Sequence, residues 1–131
     1  MRVLADTNVI LDVVNQDPLW ANWSEAKLLR CSGNVLINPI IYAELCSRAS
    51  STSEVDQMMV QLGLAYLEFS RKSLFLAAQA YRSYRQRGGA KTSPLADFFI
   101  GAQAEAEGFT VLTRDATRYQ TYFPTVPLIG P

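Results

Sequence analysis

Histidine is absent from all 131 residues. That removes every Ser-His-Asp and Cys-His mechanism, every histidine-ligated zinc site and any histidine general base. Cysteine is nearly absent as well. Cys31 and Cys46 are too few for a disulfide framework, their spacing matches no cysteine metal site, and free thiols in a reducing compartment are expected. No apolar run approaches the ~20 residues that would span a bilayer. Asp6 interrupts the opening run too early for a secretory signal, so a cytoplasmic protein with no membrane partner is expected. Net charge is absent too, with 12 Lys+Arg against 12 Asp+Glu. That balance hides a gap. No acid occurs between Glu68 and Asp97, whereas Arg71, Lys72, Arg82, Arg85, Arg87 and Lys91 all do. A local basic surface able to meet phosphates is compatible with a total of zero, although a merely solvated helix face would look the same.

What is present is a globular composition, 49% hydrophobic, on a length that suits one domain over residues 1–131. Short apolar runs alternate with helical patterns. Arg2–Ala5 reads as a strand, followed by a helix with Val9, Ile10 and Val13 on one stripe. Asp17-Pro18 reads as the cap and first position of a second helix to about residue 30. Strand Val35–Ile37, a helix from Ile40 to about Ala49 and a Ser-rich turn capping a helix over 54–62 come next. Leu64–Phe69 reads as a strand. Ser70 caps a longer helix with Leu74, Ala77, Ala78, Tyr81 and Tyr84 on one face, ended by Gly88-Gly89. Ser93-Pro94 caps the next helix, which closes before Gly108. Strand 109–113, a short helix after Asp115 and an edge strand at 126–129 finish the chain. Short strands separated by helices predict an α/β protein, a three-layer α/β/α sandwich around a mostly parallel sheet.

Ligands of open α/β sheets gather at the carboxyl ends of the strands. Asp6 ends the first strand, Glu44 lies just over a turn into the helix after the second, and Asp115 follows the strand at Val111–Thr113. Asp97 lies about a turn into a helix that follows another helix, so its place on that rim is an assumption. Asp6, Glu44 and Asp97 each interrupt an apolar run. An unpaired carboxylate there costs several kcal/mol. Arg48 is the local cation for Glu44, and none stands at helical spacing from Asp97. Four converging carboxylates repel one another, and a divalent cation removes the conflict. Clustered oxygen donors select Mg²⁺ or Mn²⁺ over zinc. Taken singly, Asp6 and Asp115 could be helix caps and Glu44 a boundary residue. Arg114 and Arg118 flank Asp115, placed either to contact a phosphate or to form structural ion pairs. Thr7, Asn8 and Thr113 could orient the carboxylates, or be ordinary cap and turn residues. Val55, Met58, Met59 and Leu62, with Trp20 and Trp23, form apolar stripes that are either core or a groove for a partner helix.

Several of these segments together resemble a known family. They are Asp6-Thr7-Asn8, Glu44, Asp97 within Pro94-Leu95-Ala96-Asp97-Phe98-Phe99-Ile100-Gly101-Ala102, Leu112-Thr113-Arg114-Asp115, and the tail from Arg118 to Pro124. In order and spacing they resemble the PIN domain family, and within it the small VapC-type ribonuclease toxins of bacterial toxin–antitoxin pairs. The resemblance implies Mg²⁺ or Mn²⁺ held mainly by Asp6 and Asp97, with Glu44 and Asp115 completing the site. It implies RNA hydrolysis by a metal-activated water, leaving a 5′-phosphate and a 3′-hydroxyl. On the reading of the residues themselves, Arg114 and Arg118 beside Asp115, with Arg85 and Arg87 of the basic stretch, are the expected RNA contacts. The resemblance also implies a homodimer and a cognate antitoxin able to insert a basic side chain into the site. Gln103 departs from the pattern, because close relatives often carry histidine in that helix. The competing expectation is a non-catalytic RNA- or partner-binding module of the same fold, and the presence of all four acids weighs against it. A receiver-like phosphoacceptor fits poorly: Asn8 occupies the second acid's place and no lysine follows Lys91.

Overall fold

The computed structural model describes residues 1–89 and 95–131. Its centre is a five-stranded sheet in the order β3-β2-β1-β4-β5, with every pairing parallel. The strands are β1 (Val3–Ala5), β2 (Val35–Ile37), β3 (Leu64–Tyr66), β4 (Thr110–Leu112) and β5 (Leu128–Ile129). β1 is the middle strand, and Val3, Leu4 and Ala5 are fully buried. Each large aliphatic side chain so buried contributes about 1.5–3 kcal/mol. A strand buried on both faces has no need to alternate, which is why these strands read as plain apolar runs.

The helices are α1 (Thr7–Val14), α2 (Ala21–Arg30), α3 (Pro39–Cys46), α4 (Thr52–Leu62), α5 (Arg71–Gln86), α6 (Leu95–Glu107) and α7 (Thr117–Gln120). The chain moves from β1 outward through β2 to β3, then returns past β1 to β4 and β5. Right-handed crossovers place α1–α4 on one face of the sheet and α5–α7 on the other. α1 packs on α2, α3 on α4, and α5 on α6. The reversal lies between β1 and β4, where connections diverge and leave a crevice at the carboxyl ends.

Local chemistry sets most boundaries. Asn38 and Ser51 accept hydrogen bonds from the backbone N–H groups of Ile41 and Glu54 at the starts of α3 and α4. Gly63 ends α4 in the left-handed region at φ 67°, as a helix stop requires. Ser70 caps α5 through the Ser73 N–H.

Several expectations need correction. α2 begins at Ala21 and not at Pro18, because the Asp17 carboxylate accepts from the N–H groups of Leu19 and Trp20 and holds a turn before the helix. The inward face of α5 carries Ser73, Ala77, Tyr81 and Tyr84, the last two against the Phe98 ring, while Leu74 and Ala78 face solvent. α3 ends at Cys46, and β3 stops at Tyr66. The stripe on α4 divides, with Val55 in the core and Met58, Met59 and Leu62 half-buried. The expected Ser93-Pro94 cap of α6 and Lys91 lie outside the described residues.

Candidate active site

Asp6 occupies the cap position of α1, yet its side chain makes no capping bond. Its Oδ2 instead accepts from the Thr113 hydroxyl at 2.9 Å, from the Tyr119 hydroxyl at 2.8 Å and from Asn8 Nδ2 at 3.4 Å. The cap alternative therefore fails for Asp6. Three donors on one oxygen orient the carboxyl group and leave Oδ1 outside these bonds. The Thr113 hydroxyl also accepts from the Asp115 N–H at 3.0 Å, so one buried hydroxyl ties the end of β1 to the turn after β4. Tyr119 is 0% exposed. Burial, then the nearby Asp6 and Asp97 carboxylates, push its phenol well above the ordinary range, so it stays a donor at any physiological pH.

Glu44 stands on the exposed side of α3, and its Oε1 accepts from the Thr7 hydroxyl at 2.6 Å. This bond joins the first turn of α1 to α3. Arg48, the local cation, forms no ion pair with it among the described residues. Asp97 is buried in the first turn of α6. Burial raises its carboxyl to about 6, Arg118 opposes that rise, and Asp6, Glu44 and Asp115 all add to it. The rim position assumed for Asp97 is thus the one the fold produces, close enough for all three other acids to act on it. Its Oδ2 is buried with no hydrogen-bond partner among the described residues. Asp115 is half-buried; its Oδ1 accepts from Thr117, and α7 is capped at Ala116 and not at Asp115.

The arginines divide. Arg118 Nε lies 2.8 Å from Asp115 Oδ2 and Nη1 lies 3.6 Å from Asp97 Oδ1. Arg114 points elsewhere. Its Nε pairs with Asp12 Oδ2 at 3.1 Å, its guanidinium lies over the Trp20 ring, and Ser24 donates to the same Asp12 oxygen. For Arg114 the structural ion pair is the outcome, in place of the expected phosphate contact. Arg87 lies over the Tyr122 ring, and Arg85 is half-buried in the last turn of α5. Neither pairs with the acids among the described residues.

Two contributors escaped the sequence reading. Tyr119 lay within the tail quoted above, and an aromatic with a polar tip about one turn past a strand-end acid was the available signal. Asp12 gave less, being one acid between Leu11 and Val13 with its partner 102 positions away (114 − 12).

The donor set suits a hard divalent ion: it is all oxygen, and one buried carboxylate oxygen lacks a partner among the described residues. As the side chains stand, no three acids among the described residues form a ready-made metal cage. Arg118 occupies oxygens of two of them, and Thr7 holds an oxygen of the third.

A doubly wound parallel sheet with acids gathered at its switch point defines a class of α/β proteins that work at the carboxyl edge. The chain belongs to the PIN domain family, whose pattern matches residues 3–124. No curated protein matches it in sequence. Among solved structures it is similar to VapBC2 from Rickettsia felis, crystallised with a DNA fragment from its promoter. That match has 21% identity and a TM-score of 0.73, over 99% of this chain and 98% of that one. DNA-bound VapBC from Salmonella typhimurium is similar at 15% identity and a TM-score of 0.74, over 99% and 98%. A toxin–antitoxin complex from Klebsiella pneumoniae follows at 17% and 0.69, over 97% and 95%. No helix among the described residues is long and apolar enough to cross a membrane.

Proposed function

We propose that this chain is a Mg²⁺- or Mn²⁺-dependent endoribonuclease, the toxin of a toxin–antitoxin pair, working in the cytoplasm. One observation carries the reading: Asp97 is buried with an oxygen that has no partner among the described residues, within electrostatic reach of Asp6, Glu44 and Asp115. A structural carboxylate would have its oxygens satisfied. The toxin role and the antitoxin partner draw their support from neighbours that are VapBC and toxin–antitoxin complexes. A homodimer is the assembly the family likeness implies.

Asp6, through Oδ1, and Asp97 would be the principal ligands, with Glu44 and Asp115 completing the set. A bound divalent ion supplies Lewis-acid stabilisation of the phosphate charge and a lowered pKa for attacking water. The chain's own residues do the positioning. Thr113 and Tyr119 fix the Asp6 carboxyl so that it need not reorganise. The Thr7 hydroxyl steadies Glu44. Arg118 stands where a phosphodiester oxygen would approach, and Arg85 and Arg87 extend positive charge along α5 for a single RNA strand.

The test is cleavage of single-stranded RNA by the purified protein. Activity is expected with Mg²⁺ or Mn²⁺, none in EDTA, and a loss of at least ~100-fold in Asp6→Asn and in Asp97→Asn. Both variants should stay folded by circular dichroism. Full activity in either would refute the proposal. Salt-sensitive RNA binding without cleavage under any divalent ion would favour the binding module.

A further inference from the structure

The guanidinium of Arg118 does what a bound cation would do. It reaches Asp115 Oδ2 through Nε at 2.8 Å and Asp97 Oδ1 through Nη1 at 3.6 Å. These two residues are 18 apart in sequence (115 − 97), Asp97 in α6 and Asp115 in the turn between β4 and α7. Arg118 has its aim set by its neighbour. Tyr119, fully buried and bonded to Asp6, anchors α7 at the rim, so the preceding side chain projects across the acids. The hold is partial. The Arg118 side chain is 44% exposed, and its approach to Asp97 is an ion pair without a hydrogen bond. A side chain so placed can leave for water without opening the core.

We infer that Arg118 is an internal counter-cation that holds Asp97 and Asp115 in the metal-free protein and gives them up when a divalent ion enters. The released guanidinium is then free for an RNA phosphate. The inference rests on the proposed metal-binding role of the acids. It accounts for the side-chain arrangement, in which Arg118 rather than a ready cage spans two of the four carboxylates. Guanidinium and metal compete for the same oxygens, and like charges in one small space repel. Removing Arg118 therefore has two effects of opposite sign. Metal binds more tightly, and RNA binds more weakly. A purely structural arginine would weaken both, and a pure phosphate contact would leave metal affinity unchanged.

The experiment is isothermal titration of Mn²⁺ into the EDTA-stripped full chain, for wild type, Arg118→Gln and Arg118→Lys. Fluorescence anisotropy of a labelled, non-cleavable single-stranded RNA in the presence of Mg²⁺ accompanies it. Arg118→Gln should bind Mn²⁺ on the order of tenfold more tightly, Arg118→Lys should stay near wild type, and the Gln variant should bind RNA more weakly. In wild type, the Arg118 Nε–H resonance should shift toward that of a free arginine on titration with Mg²⁺, a readout that needs no variant to fold. If wild type binds Mn²⁺ and Arg118→Gln binds it no more tightly, the counter-cation role is overturned while the metal site stands. If neither binds Mn²⁺, both fail.

Discussion

Asp97 is a carboxyl group held out of water among three others, with one half-exposed guanidinium beside it. Its raised pKa has a definite consequence for stability. The folded state binds this proton more tightly than the unfolded state, so the favourable contribution is present below the unfolded value of 3.8 and is lost as pH rises through about 6. In EDTA, Asp97→Asn should gain thermal stability relative to wild type as pH rises across that window, with little difference at its acid end. Melts of both proteins over the same pH series measure it, and a difference independent of pH would contradict the electrostatic account. At Asp6, Tyr119→Phe keeps the buried ring and removes a single donor. It should cost about 1 kcal/mol of stability and weaken Mn²⁺ affinity by ~10-fold or more, since partners behind a ligand are worth that much. Unfolding in urea and Mn²⁺ titration separate the two effects.

Among the elements, α6 has the tightest demands. It carries Asp97 in its first turn, and further along it meets the ring of Phe123 at Gly101, where an added Cβ would come within 2.2 Å of an aromatic carbon. Gly101→Ala should cost about 1–3 kcal/mol in urea unfolding despite its better helix propensity, because packing overrides propensity at that contact. Two residues on, Gln103 is fully buried. It accepts from Asn38 Nδ2 at 3.0 Å and donates to the Glu68 carbonyl at 3.1 Å. The relay links α6 to the start of α3, the helix of Glu44. Gln103→Leu would leave the Asn38 amide and that carbonyl unmatched, with an expected loss of about 1–3 kcal/mol. Both ends of the Gln103 amide are therefore engaged. On α5 the expected face holds in part: Ala77 is buried and Tyr81 and Tyr84 meet the Phe98 ring of α6, but Leu74 and Ala78 face solvent and Ser73 is buried in their place. A stripe three residues wide does not reveal which of its edges meets the neighbour.

Across the whole molecule, zero net charge coexists with acids gathered at one sheet edge and arginines on α5 and α7. If Arg85, Arg87 and Arg118 each neutralise one phosphate, the logarithm of RNA affinity should fall against log salt with a slope of about −2. Each Arg→Gln substitution should flatten it by ~0.7, whereas Arg114→Gln should leave the slope unchanged and lower stability, because that guanidinium pairs with Asp12. Anisotropy titrations across a salt series decide the matter. A slope near zero would remove the arginines from the interface.

Strand and helix order, the parallel sheet and the strand-end positions of Asp6 and Asp115 were legible in the chain. Apolar runs, caps and glycine stops act over a few neighbours, and strand ends at one edge follow from parallel topology. Tertiary structure alone brought Asp97 within electrostatic reach of Asp6, 91 positions away (97 − 6). It also sent Arg114 to Asp12, kept Arg118 on the acids and brought the Tyr119 hydroxyl to Asp6. Adjacent residues 114 and 115 carry no local sign of which side of the rim each will face. That depends on the turn after β4 and on what α1, α2 and α6 have already filled, since a buried charge goes where a partner is held ready for it.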